Sequence, residues 1–599
     1  MNTKYSTLIF LIVISTIYVY PLLLVDQLYS DDYLRYASGS GWSIDGRPLS
    51  TLIMQLLSGS KLIKNLAPTT LILAAIMISI SGLFVSNILD LEKQNKYKIS
   101  SFLLLTSPLM IENLLYKYDV FPMSLSFFLA IIPFQWKDTR KRFLVISTIC
   151  ILLLLLTYQA SIVLYGLMAI CLLIQQSLYQ SHKEVLCKLF YYSLPICVGI
   201  FLMKFTSTLL NLDYSGRDKT IFSSENPFIT LKNNIKEIYG LFHALIDTKH
   251  YYFFFIFLTG IFIFCIYNLF IDKKIPIYNK IIILLFCFAI PTCLISIPLV
   301  LQKTYIVPRI FVGFSFILYC LLILLDRYAL RFSNYVTLSY ILIALPLMAA
   351  TGNLLKEQSS FQEYVISDII NQTKTNEKAI IFNGELPFSK NNEITLNHNF
   401  ILRFFYIKML GNENFVIEEF FNKSTHHTTS CFFLKGEERQ NVLNIKHSIP
   451  ITHKTNYYYI RSNEEVVIVD FDKEINIKPE IYDIIDKLST NITYNLESIE
   501  QNDTIISMEG WAFFQNQSFF TGKKSILLKS SKETYICSNI PSVIRKDVSD
   551  NFNKNLDQSG FKVLIEVSSL PKDVYTIGLL LENRTDKIII FTDKTVAIQ

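Results

Sequence analysis

The sequence predicts a polytopic α-helical membrane protein with a polar, partly β-rich region at its carboxyl end. Of the 599 residues, 51% are hydrophobic and only 17% are charged, whereas soluble domains carry about a quarter charged residues. Long apolar runs fill residues 1–350, while residues 351–599 are mixed and polar. This composition excludes an ordinary soluble enzyme. The net charge of +6 is scattered rather than clustered, so we predict no nucleic-acid partner.

Apolar runs in the first 350 residues predict about eleven membrane-spanning helices. A bilayer core of about 30 Å requires roughly 20 residues of helix, and the first run meets that length. It has no small-x-small cleavage site behind it, so we interpret it as an uncleaved span. The predicted spans are residues 5–25, 68–89, 100–116, 121–136, 143–157, 160–177, 189–210, 251–271, 281–301, 310–325 and 335–350.

Basic residues in the short connections predict the orientation of these spans, because cytoplasmic loops are enriched in Lys and Arg. The basic connections are residues 93–98, 137–142, 183–188, 273–280 and 327–331, and all fall on one side of the predicted membrane. An odd number of spans with a cytoplasmic N-terminus then places residues 351–599 outside, in the periplasm of a bacterium. The same count exports the loops 26–67, 116–120 and 211–250, where we look for chemistry.

The exported carboxyl-terminal region divides into two predicted domains. Residues 351–489 mix a predicted helix, 361–371, with short strands such as 379–382 and 466–471, which indicates a small α/β domain. Residues 490–599 contain closely spaced strand runs with turn residues between them, which is typical of a β-sandwich. Those runs are 504–508, 526–529, 534–537, 563–567, 575–581 and 588–592. The predicted domains are therefore 1–350, 351–489 and 490–599.

Cysteine usage agrees with an exported carboxyl-terminal region. Of the ten cysteines, all except Cys431 and Cys537 lie within or beside apolar runs, where they are most simply small packing residues. An oxidising periplasm could pair Cys431 with Cys537. The spacing of the cysteines contains no zinc motif.

The first exported loop concentrates ionisable side chains beside the membrane, where unpaired charges are costly. These residues are Asp26, Asp31, Asp32, Arg35, Asp45 and Arg47. The Gly39-Ser40-Gly41 step predicts a tight turn, and Arg47-Pro48 predicts the start of a helix. The acids and arginines either form a site or only pair with one another. We favour a site because two carboxylates are adjacent at the end of the first span.

Four groups of short motifs lie, in order, at the predicted outer ends of the spans. They are Ser30-Asp31-Asp32 with Gly41-Trp42 and Asp45-Gly46-Arg47-Pro48-Leu49; Tyr118-Asp119 with Pro122-Met123-Ser124-Leu125-Ser126; Tyr158-Gln159-Ala160; and Arg309. This combination resembles the type II glucosyltransferases that modify lipopolysaccharide O-antigen in Gram-negative bacteria. Three motifs in the carboxyl-terminal region are similar to sandwich modules of polysaccharide-making enzymes. They are Gly510-Trp511-Ala512-Phe513, Arg545-Lys546-Asp547-Val548 and Ser559-Gly560-Phe561. That domain is therefore a candidate carbohydrate-binding module, although Trp511 in a Gly-x-Ala setting is more often a core residue.

The resemblance implies a transferase of the GT-C type in the bacterial inner membrane. Its expected donor is polyprenyl-phosphate-glucose, or a related hexose, and its expected acceptor is lipid-linked O-antigen on the periplasmic side. The expected reaction is one direct displacement with inversion at the anomeric carbon. The resemblance also implies membrane lipid as surroundings, and a donor-synthesising transferase and a flippase as functional partners.

The chemistry of the residues supports the same reaction. An acceptor hydroxyl must lose a proton as it attacks, so a carboxylate within reach is the natural base; either Asp31 or Asp32 could be that base. The leaving phosphate is already anionic and needs cationic donors, for which the guanidinium fork is suited. Arg309 is the first candidate and Arg47 the second, with Lys117 and Lys303 as helpers.

The remaining candidates are substrate-binding residues with alternative structural roles. Tyr158 and Gln159 could bind sugar hydroxyls, or could form an interfacial anchor. Asp119 could reach the site, or could cap a helix or pair with Lys117. Arg35, Asp45 and Tyr118 complete the predicted set. An aspartate pair can hold a divalent cation, but a monophosphate donor with arginines nearby has less need of one, so we predict no obligatory cofactor or metal.

A transporter or flippase of lipid-linked sugars is the alternative function. Such a protein would be expected to carry ionisable groups at mid-span and internal repeat symmetry. Here the charges lie at the outer ends of the spans and the sequence has no evident repeat. The chain also lacks a Walker A segment and a GxGxxG motif, so a nucleotide-driven function has no local support. We therefore favour the transferase.

Overall fold

The computed structural model describes most of the chain in two compact units. The first unit is Met1–Lys454 with Ile460–Phe471, and the second is Thr455–Tyr459 with Asp472–Gln599. The described residues are 3–92, 98–212, 219–302, 306–373, 378–411, 416–424, 432–455, 457–471, 476–477, 479–482, 487–488, 491–501, 505–515, 522–540, 542–552, 554, 556–567, 570–583 and 587–598. Lys303 and Cys431, which the sequence analysis named, lie outside these ranges.

Helices dominate the first unit. Its α-helices are α1 (Thr3–Leu23), α2 (Asp32–Ser38), α3 (Pro48–Ser58), α4 (Thr69–Ile88), α5 (Ile111–Leu115), α6 (Val120–Ile131), α7 (Arg140–Leu155), α8 (Ile162–Ser177), α9 (His182–Leu209), α10 (Pro227–Asp247), α11 (Lys249–Ile271), α12 (Ile277–Val300), α13 (Phe316–Tyr328), α14 (Leu330–Thr373), α15 (Lys390–His398), α16 (Ile417–Ser424) and α17 (Gly436–Asn444). Short 3-10 helices lie at Ser43–Asp45, Ile99–Phe102, Pro108–Met110, Ile132–Trp136, Gln159–Ser161, Ile221–Ser223, Pro308–Ile310, Phe400–Phe404 and Lys446–Ser448.

Seven helices in the described part of the chain are long and apolar enough to cross a membrane, fewer than the eleven predicted. They are Ser6–Leu23, Thr69–Ile88, Gln159–Ser177, His182–Leu209, His250–Ile271, Ile277–Val300 and Leu330–Gln372. The other four predicted spans, 100–116, 121–136, 143–157 and 310–325, fold as shorter helices. The α14 helix runs through residue 350, where the sequence analysis placed a domain boundary.

Proline explains two of the shorter segments, and a third is a short helix without proline. Ser107 is extended, with ψ of 128°, as expected for a residue that precedes proline, and this breaks the run 100–116. The α6 helix has 12 residues and gives way to the 3-10 helix that contains Pro133, because proline has no N–H to donate within a helix. The α13 helix has 13 residues. Apolar helices of that length are more often core elements than spans.

A five-stranded sheet completes the first unit. Its strands are β1 (Ala379–Asn383), β2 (Phe432–Phe433), β3 (Ile451–Lys454), β4 (Tyr459–Ser462) and β5 (Val466–Asp470), in the order β2-β1-β5-β4-β3. β1 is parallel to both neighbours, with Ile381 opposite Ile468 on β5. Every residue of β5 is buried, as expected for a parallel strand covered on both faces.

The second unit is β-rich, as predicted. It contains β6 (Asn476–Ile477), β7 (Glu480–Ile481), β8 (Lys487–Leu488), β9 (Ile492–Gln501), β10 (Ile505–Phe514), β11 (Lys523–Lys529), β12 (Thr534–Ile540), β13 (Ser542–Val543), α18 (Lys546–Phe552), β14 (Gly560–Glu566), β15 (Asp573–Glu582) and β16 (Lys587–Ile598). One sheet has the order β13-β14-β10-β9 and the other β7-β12-β11-β15-β16-β8.

The two sheets of the second unit share one hydrophobic core. Ile506 and Val563 from one sheet and Ile526 and Ile577 from the other are fully or almost fully buried in it. Trp511 packs against this core, with its ring 5.7 Å from that of Phe513. Burial of alternate residues on facing sheets is the packing expected of a sandwich.

Candidate active site

Asp32 joins the first loop, which lies between α1 and α3, to the turn before α6. It begins α2 and is 1% exposed. Its Oδ2 accepts a hydrogen bond from the backbone N–H of Lys117 at 2.7 Å, and its Oδ1 accepts one from Tyr118 at 3.4 Å. Burial, reinforced by the charge of Asp31, raises the pKa of Asp32 to about 8. Both carboxylate oxygens are therefore occupied in fixing the turn against α2.

Asp31 occupies the position immediately before α2, and its side chain is 33% exposed. Its Oδ2 lies 3.0 Å from Nη1 of Arg35. Its Oδ1 is buried and accepts no hydrogen bond from any described residue. Buried carboxylate oxygens are normally satisfied, so this oxygen is an acceptor that the described residues leave unused. The structure thus distinguishes the two aspartates, which sequence reasoning left unranked.

Arg35 and Asp45 hold the first loop together. The Arg35 side chain is almost fully buried, its guanidinium lies 4.7 Å from the centre of the Trp42 ring, and its Nη2 is 3.5 Å from Oδ2 of Asp45. The sequence left open whether the acids and arginines of this loop pair with one another, and Arg35 and Asp45 do. Their charges position the loop around Asp31.

Two glycines allow the tight turn predicted after α2. Gly39 adopts a φ of +62° and donates its N–H to the carbonyl oxygen of Arg35, which ends α2. A Cβ on Gly41 would lie 2.4 Å from Cγ2 of Thr51 on α3, so only glycine fits there. The loop then folds back onto α3, which begins at Pro48 as predicted.

Arg47 connects three of the predicted motifs. Its Nη1 donates to Oδ2 of Asp119 at 3.1 Å and its Nε donates to Oε1 of Gln159 at 3.2 Å. Its guanidinium also lies 5.1 Å from the centre of the Tyr158 ring. Gln159 in turn donates to the carbonyl oxygen of Gly46 at 3.2 Å. These contacts bring the first loop, the turn before α6 and the segment before α8 into one cluster.

Asp119 is the buried partner of Arg47, and it neither caps α6 through its side chain nor pairs with Lys117. Burial raises the pKa of Asp119, and the charge of Arg47 opposes that rise. Its Oδ1 is buried and has no hydrogen-bond partner in the described ranges. The charges of Asp31, Arg35 and Asp45 also act on Asp119, so these residues share one electrostatic environment.

Arg309 presents an unpaired cation beside this cluster. Its guanidinium lies 4.7 Å from the centre of the Tyr116 ring, and within the described residues no carboxylate forms an ion pair with it. Its backbone N–H donates to Oε2 of Glu112 at 2.8 Å, and its carbonyl oxygen accepts from the hydroxyl of Tyr158 at 3.0 Å. An arginine held in this way can receive a phosphate through both arms of its fork.

Glu112 is a site residue that sequence reasoning missed. It is 2% exposed, and burial raises its pKa although the charge of Arg309 opposes the rise. Its Oε1 also accepts a hydrogen bond from the hydroxyl of Tyr29 at 3.5 Å. A single acid within an apolar run of a membrane protein is itself a functional signal, and that signal could have identified Glu112.

Of the two predicted lysine helpers, Lys117 turns its ammonium away from the cluster. The Lys117 ammonium donates to the carbonyl oxygen of Val25 at 2.8 Å and lies 3.6 Å from Oδ1 of Asp26; burial lowers its pKa. It lines a cavity of about 180 Å³ together with Gln27 and Tyr116. Tyr118 is buried, and Lys303 lies outside the described residues. Among the side chains that the structure describes, no group of three or more His, Cys, Asp or Glu is arranged to hold a metal ion.

Comparison with known proteins gives the family of this chain. The sequence model of the family described as "Glucosyl transferase GtrII" matches residues 20–320, half of the chain. The chain belongs to the GtrII glucosyl transferase family. The range matched to GtrII includes every residue of the cluster from Asp31 to Arg309, and the resemblance predicted from the motifs is confirmed.

A second comparison relates this GtrII protein to a phage protein. A protein of Salmonella phage P22, described as an uncharacterized 55.3 kDa protein in the gtrB 5′ region, is 25% identical over 247 residues. The aligned region is 40% of this chain and 50% of the phage protein, so this chain spans about half the length of that relative. No solved structure matches the GtrII chain.

Proposed function

We propose that this GtrII-family protein transfers glucose, or a related hexose, from a polyprenyl-phosphate-sugar to lipid-linked O-antigen at the periplasmic face of the inner membrane. One observation carries the proposal: the same region holds Arg309, which forms no ion pair with a described residue, and Asp31, whose Oδ1 accepts no hydrogen bond from one. A sugar transfer from a phosphate needs both groups, one for the leaving group and one for the incoming hydroxyl. Family membership supports the glucosyl part of the proposal.

The phosphate of the donor is assigned to Arg309. Arg47 is already paired with Asp119, whereas the Arg309 guanidinium forms no ion pair within the described residues and lies over the ring of Tyr116. The departing polyprenyl phosphate gains negative charge as its bond to the sugar breaks, and a preorganised guanidinium stabilises that charge without a proton transfer. Seven long apolar helices supply the membrane setting in which the polyprenyl tail of such a donor lies.

The proton of the acceptor is assigned to Asp31. The acceptor oxygen attacks the anomeric carbon, the carbon–oxygen bond to the phosphate breaks with its electron pair, and Oδ1 of Asp31 takes the hydroxyl proton. Displacement on the face opposite the phosphate inverts the anomeric configuration. Arg35, at 3.0 Å from the other oxygen of Asp31, orients the carboxylate. Asp32 fixes the turn that carries Lys117 and Tyr118.

The proposal is tested with the purified protein in liposomes. Polyprenyl-phosphate-[14C]glucose and UDP-[14C]glucose are offered separately with lipid-linked O-antigen as acceptor, with and without EDTA. We expect transfer from the lipid donor alone, unchanged by EDTA, and its loss in Arg309→Gln. The matched control is Arg403→Gln, because Arg403 also lies over an aromatic ring, that of Phe400 at 5.7 Å. Equal transfer from UDP-glucose, or full activity of Arg309→Gln, would contradict the proposal.

A further inference from the structure

The backbone of Arg309 is held by two side chains from other elements. Glu112 on α5 accepts the N–H of Arg309 at 2.8 Å, and Tyr158, before α8, donates its hydroxyl to the carbonyl oxygen at 3.0 Å. Both side chains are buried, with exposed fractions of 2% and 4%. Residue 309 lies in a 3-10 turn of three residues, which has little rigidity of its own. The two contacts therefore fix a residue that its own element leaves poorly constrained.

A closed ring of contacts links Glu112 to the guanidinium of Arg309. Glu112 binds the N–H of Arg309, the guanidinium lies 4.7 Å from the centre of the Tyr116 ring, and Tyr116 meets Tyr29 edge-on at 4.9 Å. The hydroxyl of Tyr29 then returns to Glu112 at 3.5 Å. Backbone and side chain of Arg309 are thus anchored to one buried group. Such second contacts keep a binding side chain in its productive geometry.

Tyr158 also couples the two cations of the site. Its ring lies under the Arg47 guanidinium at 5.1 Å while its hydroxyl holds Arg309. Arg47 is fixed in turn by Asp119 and Gln159. The relative placement of the two guanidinium groups therefore depends on one phenol side chain, whose hydroxyl has no role in the proposed chemistry other than this contact.

We propose that Glu112 and Tyr158 are positioning residues, which hold the backbone of Arg309 so that its guanidinium meets the phosphate of the lipid donor. This inference rests on the function proposed above, because it takes Arg309 as the phosphate-binding residue. Neither residue needs to touch the donor. Each acts through the orientation of Arg309, so removing either contact should weaken binding of the phosphate only while Arg309 is present.

The test measures the affinity of the full-length protein for polyprenyl monophosphate, the product, in detergent micelles. Tyr158→Phe removes only the hydroxyl, and Glu112→Leu removes the acceptor. We expect each to weaken the affinity by about 3- to 10-fold, the range for one lost hydrogen bond. Glu112→Gln retains an acceptor oxygen and should restore the affinity to within about twofold of wild type. Tyr165→Phe is the matched control, because its buried hydroxyl donates to the carbonyl oxygen of Tyr192 at 3.2 Å away from the site.

A double-substitution cycle distinguishes positioning from a merely structural role. In an Arg309→Gln background, Tyr158→Phe should produce no further loss, because coupled residues are non-additive. A full additional loss there, or a Glu112→Gln protein as weak as Glu112→Leu, would overturn the positioning role while leaving the proposed function intact. If Arg309→Gln itself binds the lipid phosphate as tightly as wild type, both the proposed function and this inference fail.

Discussion

Replacing Asp31 with Asn is expected to stop glucosyl transfer while leaving the protein folded. The substitution keeps the side-chain volume but removes the charge that takes the acceptor's proton. The structural contact given up is the ion pair with Arg35. Asp31 is 33% exposed, and the buried Arg35 keeps Asp45 as a partner at 3.5 Å, so the loss of this pair costs only about 1 kcal/mol. Loss of a general base typically lowers a rate by about 10²- to 10⁴-fold.

Asp32→Asn is the contrasting variant, although it changes the neighbouring residue in the same way. The Asp32 carboxylate accepts two backbone N–H groups, from Lys117 and Tyr118, whereas Asn offers one acceptor oxygen and turns an NH₂ group towards the other donor. One buried N–H then loses its partner, which costs about 1–3 kcal/mol. We expect this variant to be less stable, with activity that falls in line with the amount of folded protein.

The assay compares three quantities for wild type and the two variants. They are O-antigen glucosylation in cells, the amount of protein in the membrane fraction, and the unfolding temperature in detergent. Unchanged glucosylation by Asp31→Asn at normal membrane levels would refute its role as the base. An Asp32→Asn protein that is as stable as wild type yet inactive would exchange the roles assigned to the two acids.

Three further predictions concern stability. Arg47→Gln leaves Asp119 buried without its cation and should cost about 3–5 kcal/mol, seen as a lower unfolding temperature that Asp119→Asn partly restores. Gly41→Ala places a Cβ 2.4 Å from Thr51 and should cost about 1–3 kcal/mol, seen as faster proteolysis of the first loop. Burial lowers the pKa of Lys524 from 10.5 to about 7. Between pH 7 and pH 10.5 the unfolded chain binds this proton and the folded chain does not. The free energy of unfolding should therefore rise with pH, by up to about 1.4 kcal/mol per pH unit. The measurement is hydrogen exchange in β11, which should be slower at pH 9 than at pH 7 after correction for the intrinsic rate.

Each of these predictions has a contradicting result. An Arg47→Gln protein as stable as wild type would mean that Asp119 is not held by that ion pair. Normal protease resistance of Gly41→Ala would mean that α3 and the loop are not closely packed. Lys524→Met should abolish the pH dependence of exchange in β11, and its persistence in that variant would assign it to another group.

The helical class of the fold follows from composition, but the number of spans does not. Apolar length identified all seven of the long helices that the structure describes as able to cross a membrane. Apolar length alone does not decide runs such as 100–116, which are rich in apolar residues but are divided by Ser107-Pro108 and buried by their neighbours. Hydropathy measures a tendency to leave water, and it does not distinguish lipid from protein surroundings.

The members of the site could be predicted more fully than their contacts. The motifs around Asp31, Arg47, Asp119 and Tyr158 lie at the same predicted side of the membrane, and the structure brings them together. Whether Asp31 or Asp32 accepts the backbone N–H groups of residues 117 and 118 depends on how that turn folds. Side chains of adjacent residues on a helix point in different directions, and sequence spacing alone does not show which one faces the turn. Glu112 escaped notice because its contact with Arg309 spans 197 positions of sequence.

Accessibility of the first loop from outside the cell tests the account most directly. Ile44 lies in this loop and is 68% exposed, so Ile44→Cys, in a background with Cys187, Cys197 and Cys431 replaced by Ser, can report its side. Lys183→Cys, in a connection predicted to be cytoplasmic, is the matched control. The account predicts that a membrane-impermeant maleimide labels Ile44→Cys in intact spheroplasts and labels Lys183→Cys only after permeabilisation. Labelling of Ile44→Cys only after permeabilisation would contradict a periplasmic site.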